Sequence, residues 1–319
     1  MNITEISIKT HKNLLAFSAG IDSTALFFLL LDNNIPFDIA IVDYAQRDQA
    51  KNEIIYATQL AHKYGKRCFI STFPEDGKFN EKSARDFRYK YFEEIILKEN
   101  YEALLTAHQL NDKLEWFLMQ FTKGAGVVEL IGLEEKSFQN GYQIFRPLLQ
   151  YTKEQLQNYL DKNKIKYFID HTNYDEDIKR NYFRHNFSDK LLKDYQKGIA
   201  NSFEYLQNDI DSLMLTVTKE SIKELNIYTY NGDMNIAQRV IDKDLKQRGI
   251  IISKATRDEI IEKKQLVVSH KICVAVTRDK IYIAPFTQVS MKKEFKEKCR
   301  INKIPSNIRS YLYSIDFKF

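Results

Sequence analysis

Short apolar runs separated by helix-like segments fill the first half of the chain, and no other feature limits its fold as strongly. The runs are Leu14–Phe17, Phe37–Val42, Cys68–Thr72, Ala103–Ala107 and Gln143–Phe145. Between them lie Asp22–Leu31, Gln49–Tyr64, Asn80–Lys98 and Gln109–Phe121, each long enough for a crossover helix. Apolar strands joined by helical crossovers form a parallel sheet covered on both faces. Ligands of such sheets sit at the carboxyl ends of the strands. From Thr152 the alternation fades. Thr152, with Gln155 three residues on, reads as a helix cap. A polar loop, Asp170–Asp177, follows, then helical patterns to about residue 225. The remainder mixes a helix (NIAQRVIDKDLKQRG) with β-rich pieces (ICVAVTRDKIYIAPF). The expected class is α/β, with a parallel-sheet domain over 1–195 and a smaller, mainly helical C-terminal domain over 196–319.

Several classes are excluded. No window approaches the ~18 uncharged apolar residues that cross a bilayer. The start, MNITEISIKT, lacks the basic and apolar blocks of a signal peptide. Cys68, Cys273 and Cys299 form no Cys-x-x-Cys pair, against a disulfide framework, zinc ribbon or iron–sulfur site. A reduced, cytoplasmic protein without a membrane partner is expected. The net charge of +5 fits a polyanionic partner and a mildly basic enzyme equally well. Ile178–Phe187 is more pointed. It interleaves Lys179, Arg180, Arg184 and His185 with aromatic rings, which suits RNA bases that stack on rings and guanidinium planes. A solvated face is the alternative.

The first run stops at Ser18, Ala19, Gly20, Ile21, Asp22 and Ser23 and then resumes. At the end of a strand, the N–H groups of 19–23 point outward at a helix N-terminus, a cradle for phosphate. Gly20 allows close backbone approach, and Ser18, Ser23 and Thr24 add hydroxyls. Asp22 repels phosphate unless Mg²⁺ lies between them. The alternative is a plain helix cap. Neither a Walker loop nor a full Gly-x-Gly-x-x-Gly fingerprint is present.

A second constellation follows the fourth run. His108, Asp112 and Glu115 are spaced four and three apart, on one face of a helix that starts at the same sheet edge. Two carboxylates and an imidazole there suit metal binding, general-base work or a cationic substrate. Acids that merely complement the helix dipole are the alternative. Trp116 and Phe117 read as core. Gly124, Gly126 and Gly132 read as a ligand-touching loop or a simple helix stop.

Ser18–Ser23 resembles the Ser-Gly-Gly-x-Asp-Ser loop of the PP-loop ATP pyrophosphatases, with Ala19 for the first glycine. Ala19 is tolerable there if its φ is negative. In order, the chain is similar to the tRNA(Ile)-lysidine synthetase family. The matching stretches are VDYAQRDQAKNE, where Tyr44 replaces a histidine and Arg47 is kept, and EKSARDFRYKYF with Arg85, Arg88 and Tyr89. The His108, Asp112, Glu115 set comes next, then RPLL from Arg146. Asp170, Asn173, Arg180, Asn181 and Arg184 follow, and last a Lys-Ile-Pro stretch near the C-terminus.

The resemblance implies an ATP-dependent ligase of the cytoplasm. It would join free L-lysine to the first-anticodon-position cytidine of a CAU-bearing tRNA(Ile) through an adenylated cytosine. ATP and Mg²⁺ are implied, with the loop 18–23 on phosphate and Asp22 on the metal. Arg88 would lie near the phosphates. Asp112 and Glu115 would bind lysine and prepare its amine, with His108 in support. Arg180 and Arg184 would touch ATP, base or RNA, and the C-terminal domain would grip tRNA. A tRNA thiolase of the same superfamily is a rival, weakened because Cys68 falls in a run read as a buried strand. A small-molecule PP-loop synthetase and a degenerate RNA-binding domain are further rivals.

Overall fold

The strand-like runs become one sheet, and their order puts the interrupted first run at its centre. The computed structural model describes residues 3, 11–44, 49–74, 80–139, 141–169, 177–214 and 216–319. The contacts divide the chain into units Met1–Leu206 and Gln207–Phe319. The first unit begins with β1 (Asn13–Ala16), α1 (Ile21–Asp32), β2 (Phe37–Asp43), α2 (Gln49–Lys63), β3 (Cys68–Thr72), α3 (Glu81–Glu99) and β4 (Ala103–Leu105). Then come α4 (Leu110–Phe121), α5 (Val127–Ile131), β5 (Lys136–Gln139), β6 (Tyr142–Phe145), α6 (Lys153–Lys162) and α7 (Lys179–Phe183). A π-helical turn, Arg184–Ser188, leads into α8 (Asp189–Met214).

The sheet order is β3-β2-β1-β4-β6-β5. All neighbours are parallel except the β5–β6 hairpin. β5 is an addition to the expected strands, and its short, half-exposed sequence KSFQ gives little apolar signal. β3 is an edge strand and Cys68 is half-buried, so the buried setting expected for that thiol is corrected. The chain runs outward from β1 to β3 and then returns to lay β4 on the other side of β1. That reversal opens a crevice at the carboxyl ends of β1 and β4.

Alternation along the strands sorts the core. Leu15, Ile39 and Leu105 face α1, α2 and α6, joining Leu26, Leu30, Leu60, Leu156 and Leu160. Leu14, Ala40, Leu104 and Ile144 face α3, joining Phe92, Ile95 and Ile96. Each fully buried leucine contributes roughly 1.5–3 kcal/mol by leaving water. Helix starts follow their sequence signals. Asn80 caps α3 reciprocally with Ser83, and Thr152 caps α6 reciprocally with Gln155.

The helical reading to residue 225 is corrected: α8 ends at Met214 and strand β7 (Thr218–Ile222) follows. The second unit continues with β8 (Leu225–Thr229), α9 (Met234–Gln247), α10 (Lys254–Lys263), β9 (Gln265–Val268), β10 (Ile272–Val276) and β11 (Lys280–Pro285). It ends with α11 (Lys293–Ile301) and α12 (Arg309–Ser314). Helical residues outnumber strand residues there, but an antiparallel sheet, β7-β8-β11-β10-β9, organises the core. α9 and α10 pack on one face through Val240, Ile241, Leu245 and Ile260. α12 packs on the other through Tyr311 and Leu312. Asp244 is buried but answered by the Tyr228 hydroxyl and Arg248 Nε. The sequence-derived boundary at 195/196 falls inside α8, where Tyr195 has φ −125° and ψ 19°, and the two units divide further along that helix, after Leu206.

Candidate active site

The loop after β1 and the start of α4 open on one cavity of about 410 Å³. Its wall includes Ser18, Gly20, Ile21, Asp22, Ser23, Tyr44, Arg88, His108, Asp112, Lys153, Phe168 and Arg180. The two constellations read from the sequence therefore meet. Ala19, Glu115 and Arg184 lie outside that wall. Arg47, Asp170 and Asn173 lie outside the described residues.

The loop differs from expectation at Ala19, whose φ is +60°. Gly20 has an extended backbone, φ −75° and ψ 174°, and is the N-cap of α1. The left-handed position thus falls on the alanine, where a Cβ adds roughly 1 kcal/mol of strain. It is held by burial and by its carbonyl, which accepts the Phe168 N–H at 3.0 Å. The Ser18 N–H donates to Ser23 Oγ at 3.2 Å, and the two hydroxyls lie 3.0 Å apart. The loop is closed on itself around the first turn of α1.

Asp22 is the anomaly of the loop. Its Oδ1 is buried and has no hydrogen-bond partner among the described residues. Burial, then the charge of Asp112, lifts its pKa from 3.8 to about 7, against the pull of Lys153 and Arg184. A buried carboxylate without a partner would repel an anion bound beside it unless a cation intervened.

Asp112 is both the cap acid that the sequence allowed and an ion-pair partner that it did not specify. Its Oδ2 accepts the Gln109 N–H at 3.1 Å and completes the cap of α4. Its Oδ1 accepts from Arg180 Nη2. Glu115, fully buried one turn on, accepts Arg180 Nε at 2.9 Å and Arg184 Nε at 2.7 Å. Burial pushes both carboxyls up. For Asp112 the charges of Arg180 and His108, the Gln109 N–H and Arg184 outweigh it, and the pKa falls. For Glu115 burial and Asp112 push the pKa up, while Arg184 and Arg180 pull it back. Both guanidiniums stay charged, so the cluster is an ion network closed around the base of α4.

His108 follows β4, with Nδ1 3.0 Å from Thr106 Oγ1. Burial lowers its pKa to about 4; Asp112 opposes this, and Arg146, Arg180 and Arg85 add to it. The imidazole is therefore neutral at pH 7. Between pH 6.5 and 4 the unfolded chain binds the proton and the fold does not, so stability is lost as pH falls through this window. The loss reaches at most about 3 kcal/mol. Urea unfolding of His108→Gln is expected to show a flatter acid limb than the parent.

Across the cavity Arg88 lies against the Tyr44 hydroxyl. Burial raises the Tyr44 pKa, and the Arg88 charge and hydrogen bond oppose it. Tyr44, which stands where the resembled family usually has a histidine, thus meets the guanidinium with a phenol. Trp116 is corrected from core to 42% exposed, with Nε1 donating to the Glu129 carbonyl at 2.9 Å. Its indole fills the space above Gly132, where a Cβ would lie 1.9 Å from Nε1. With φ +58° as well, Gly132 is a packing glycine. Gly132→Ala is expected to lower stability by about 2–4 kcal/mol in chemical unfolding, because the indole must move and the backbone is left-handed.

Lys153 and Phe168 belong to the wall and were not singled out from the sequence. Lys153 follows the recognised cap Thr152, which was the one available signal. Among the described residues no group of three or more His, Cys, Asp or Glu side chains is placed to hold a metal ion, and no helix is long and apolar enough to cross a membrane.

The loop after β1 and the helix start after β4 share a crevice at the carboxyl edge of the parallel sheet, where α/β enzymes bind nucleotides. Residues 2–191 match the PP-loop domain family. The U34-tRNA thiolase of Methanococcus maripaludis has the same fold, with a TM-score of 0.51 at 18% identity, over 63% of this chain and 73% of that one. A tRNA(Ile)-lysidine synthase of Helicobacter hepaticus is 41% identical, covering 97% of this chain and 83% of that protein. That of Wolinella succinogenes is 40% identical, covering 97% and 95%. That of Campylobacter jejuni strain RM1221 is 39% identical, covering 96% and 94%. The chain belongs to the tRNA(Ile)-lysidine synthase family.

Proposed function

We propose that the chain joins free lysine to the first-anticodon cytidine of a CAU-bearing tRNA(Ile), with ATP activating the base. The observation that carries this reading is the single cavity shared by the phosphate loop and Asp112. Cytosine C2 is a poor electrophile because its oxygen is delocalised into the ring. Attack of that oxygen on the α-phosphorus releases pyrophosphate and makes AMP the leaving group. The lysine ε-amine then attacks C2, and AMP departs with the oxygen. The target lies in a single-stranded loop, so extruding it costs only its stacking.

The residues take roles in that order. The loop 18–23 holds phosphate through the N–H groups of 19–23. Mg²⁺ carried on the ATP fits Asp22, since one carboxylate with phosphate oxygens is a usual ligand set. When bound, that ion would offset the repulsion between carboxylate and phosphate. Arg88, a fixed fork in the wall, faces developing negative charge. Asp112 is the wall acid and binds the lysine ammonium by charge, holding the amine at the reacting carbon, and the ammonium proton leaves to solvent before attack. Glu115 lies behind it and acts through the arginines, as a positioning residue. Lysine brings a further positive charge to acids already paired, so Arg180, 35% exposed against 12% for Arg184, is the partner that yields. Neutral His108 orients groups by hydrogen bonding. The second unit grips tRNA through phosphates. A tRNA substrate and free thiols support a cytoplasmic location for the enzyme.

Pyrophosphate release tests the first half-reaction. With unmodified tRNA(Ile), ATP and no lysine, one pyrophosphate per tRNA and an alkali-labile AMP adduct are expected. Release that needs lysine, or ignores tRNA, would contradict the order proposed.

A further inference from the structure

We propose that Lys153 is a phosphate-binding residue of this site: its ammonium holds the ATP polyphosphate and balances the charge that gathers on pyrophosphate as it leaves. The proposal rests on the reading of the cavity as an ATP site.

Lys153 stands in the same wall as Ser18, Gly20, Asp22 and Ser23. Its ammonium makes no hydrogen bond or ion pair among the described residues, although Asp22 feels its charge. It is the first residue of α6, where a cation adds to the positive end of the helix dipole. A lysine at that position is unfavourable for the helix alone and favourable for an anion beside it.

Its backbone is fixed from several directions. Thr152 and Gln155 cap the helix. Asn111 Oδ1 accepts the Lys153 N–H at 3.1 Å, while Asn111 Nδ2 donates to Asp189 Oδ1 at 2.7 Å. One buried amide therefore joins α6 to the start of α4 and to α8. Leu156 and Leu160 anchor α6 beside α1, and the Tyr159 hydroxyl donates to Asp32 Oδ2 at 2.6 Å. The helix that bears Lys153 is thus tied to the helix that bears the phosphate loop. Among the described cations of the wall, Arg180 is paired with Asp112 and Glu115 and Arg88 meets the neutral Tyr44 hydroxyl, so the Lys153 ammonium joins Arg88 as a charge available to phosphate.

Lys153→Met keeps the stem and removes the charge; Lys153→Arg keeps the charge. Calorimetric binding of a non-hydrolysable ATP analogue with Mg²⁺ needs no tRNA, so it reports on Lys153 even if the tRNA reading fails. Lys153→Met is expected to weaken that binding about tenfold or more and to raise the inhibition constant of inorganic pyrophosphate similarly. The KM for lysine should stay within about twofold, and Lys153→Arg should recover most of the loss. Unchanged analogue binding and pyrophosphate inhibition in Lys153→Met would overturn the proposal. So would a defect confined to the lysine KM.

Discussion

Asp22→Asn is expected to abolish lysidine formation while making the protein more stable. The carboxyl titrates near 3.8 in an unfolded chain and at about 7 in the fold. The folded state therefore holds its proton longer, and stability is lost as pH rises through 7. Below pH 3.8 the effect is absent; above pH 7 it is complete. In magnesium-free buffer at pH 8 the neutral amide should add roughly 2 kcal/mol in denaturant unfolding, below the full shift because the residue is partly exposed. Below pH 4 parent and variant should coincide. The activity prediction runs the other way. The amide offers only a neutral oxygen, so the loop loses the negative charge that holds the cation between protein and phosphate. Loss of such electrostatic stabilisation lowers the rate by about 10³-fold or more. A variant both active and no more stable would show that Asp22 is a helix-start acid and nothing else.

The second large effect falls on Glu115. It accepts from both arginines while being fully buried itself. Glu115→Gln leaves Arg184, only 12% exposed, facing an amide that cannot balance its charge. Breaking a buried pair from one side typically costs 3–5 kcal/mol. The solvent access of Arg180 reduces this to about 3 kcal/mol. Arg184→Ala should cost more than Arg180→Ala in the same unfolding assay, because Arg180 is the more exposed partner. Lysine should bind Arg180→Ala at least as well as the parent, since a competing cation is gone. A lower lysine affinity in that variant would mean that Arg180 helps form the lysine site instead of occupying it.

What the sequence showed and what it hid follow from the range of the interactions involved. The apolar runs, the caps at Asn80 and Thr152, and the spacing of Asp112 and Glu115 are local, and local pattern reports them. The arginine partners of those acids lie 65 to 69 residues away, so spacing assigned Arg180 and Arg184 no fixed contact. The β7–β8 hairpin was hidden because its lysines and glutamates favour helices, and Lys223, at φ +54°, takes a turn position that glycine usually marks. Ala19 was misjudged for a related reason. Its left-handed backbone is imposed by the way α1 leaves β1, and alanine carries no sign of it. Lys153 escaped notice because a lysine at a helix start resembles any surface lysine until the fold puts Asp22 in front of it.

The central claim is that this cavity transfers lysine to an activated cytosine. Incorporation of labelled lysine into unmodified CAU-bearing tRNA(Ile) tests it most directly, with and without ATP and with Asp22→Asn and Asp112→Ala alongside. The account predicts label only with ATP, at the first anticodon position, and none from either variant. An intact protein that binds both ATP and this tRNA yet incorporates no lysine would contradict it.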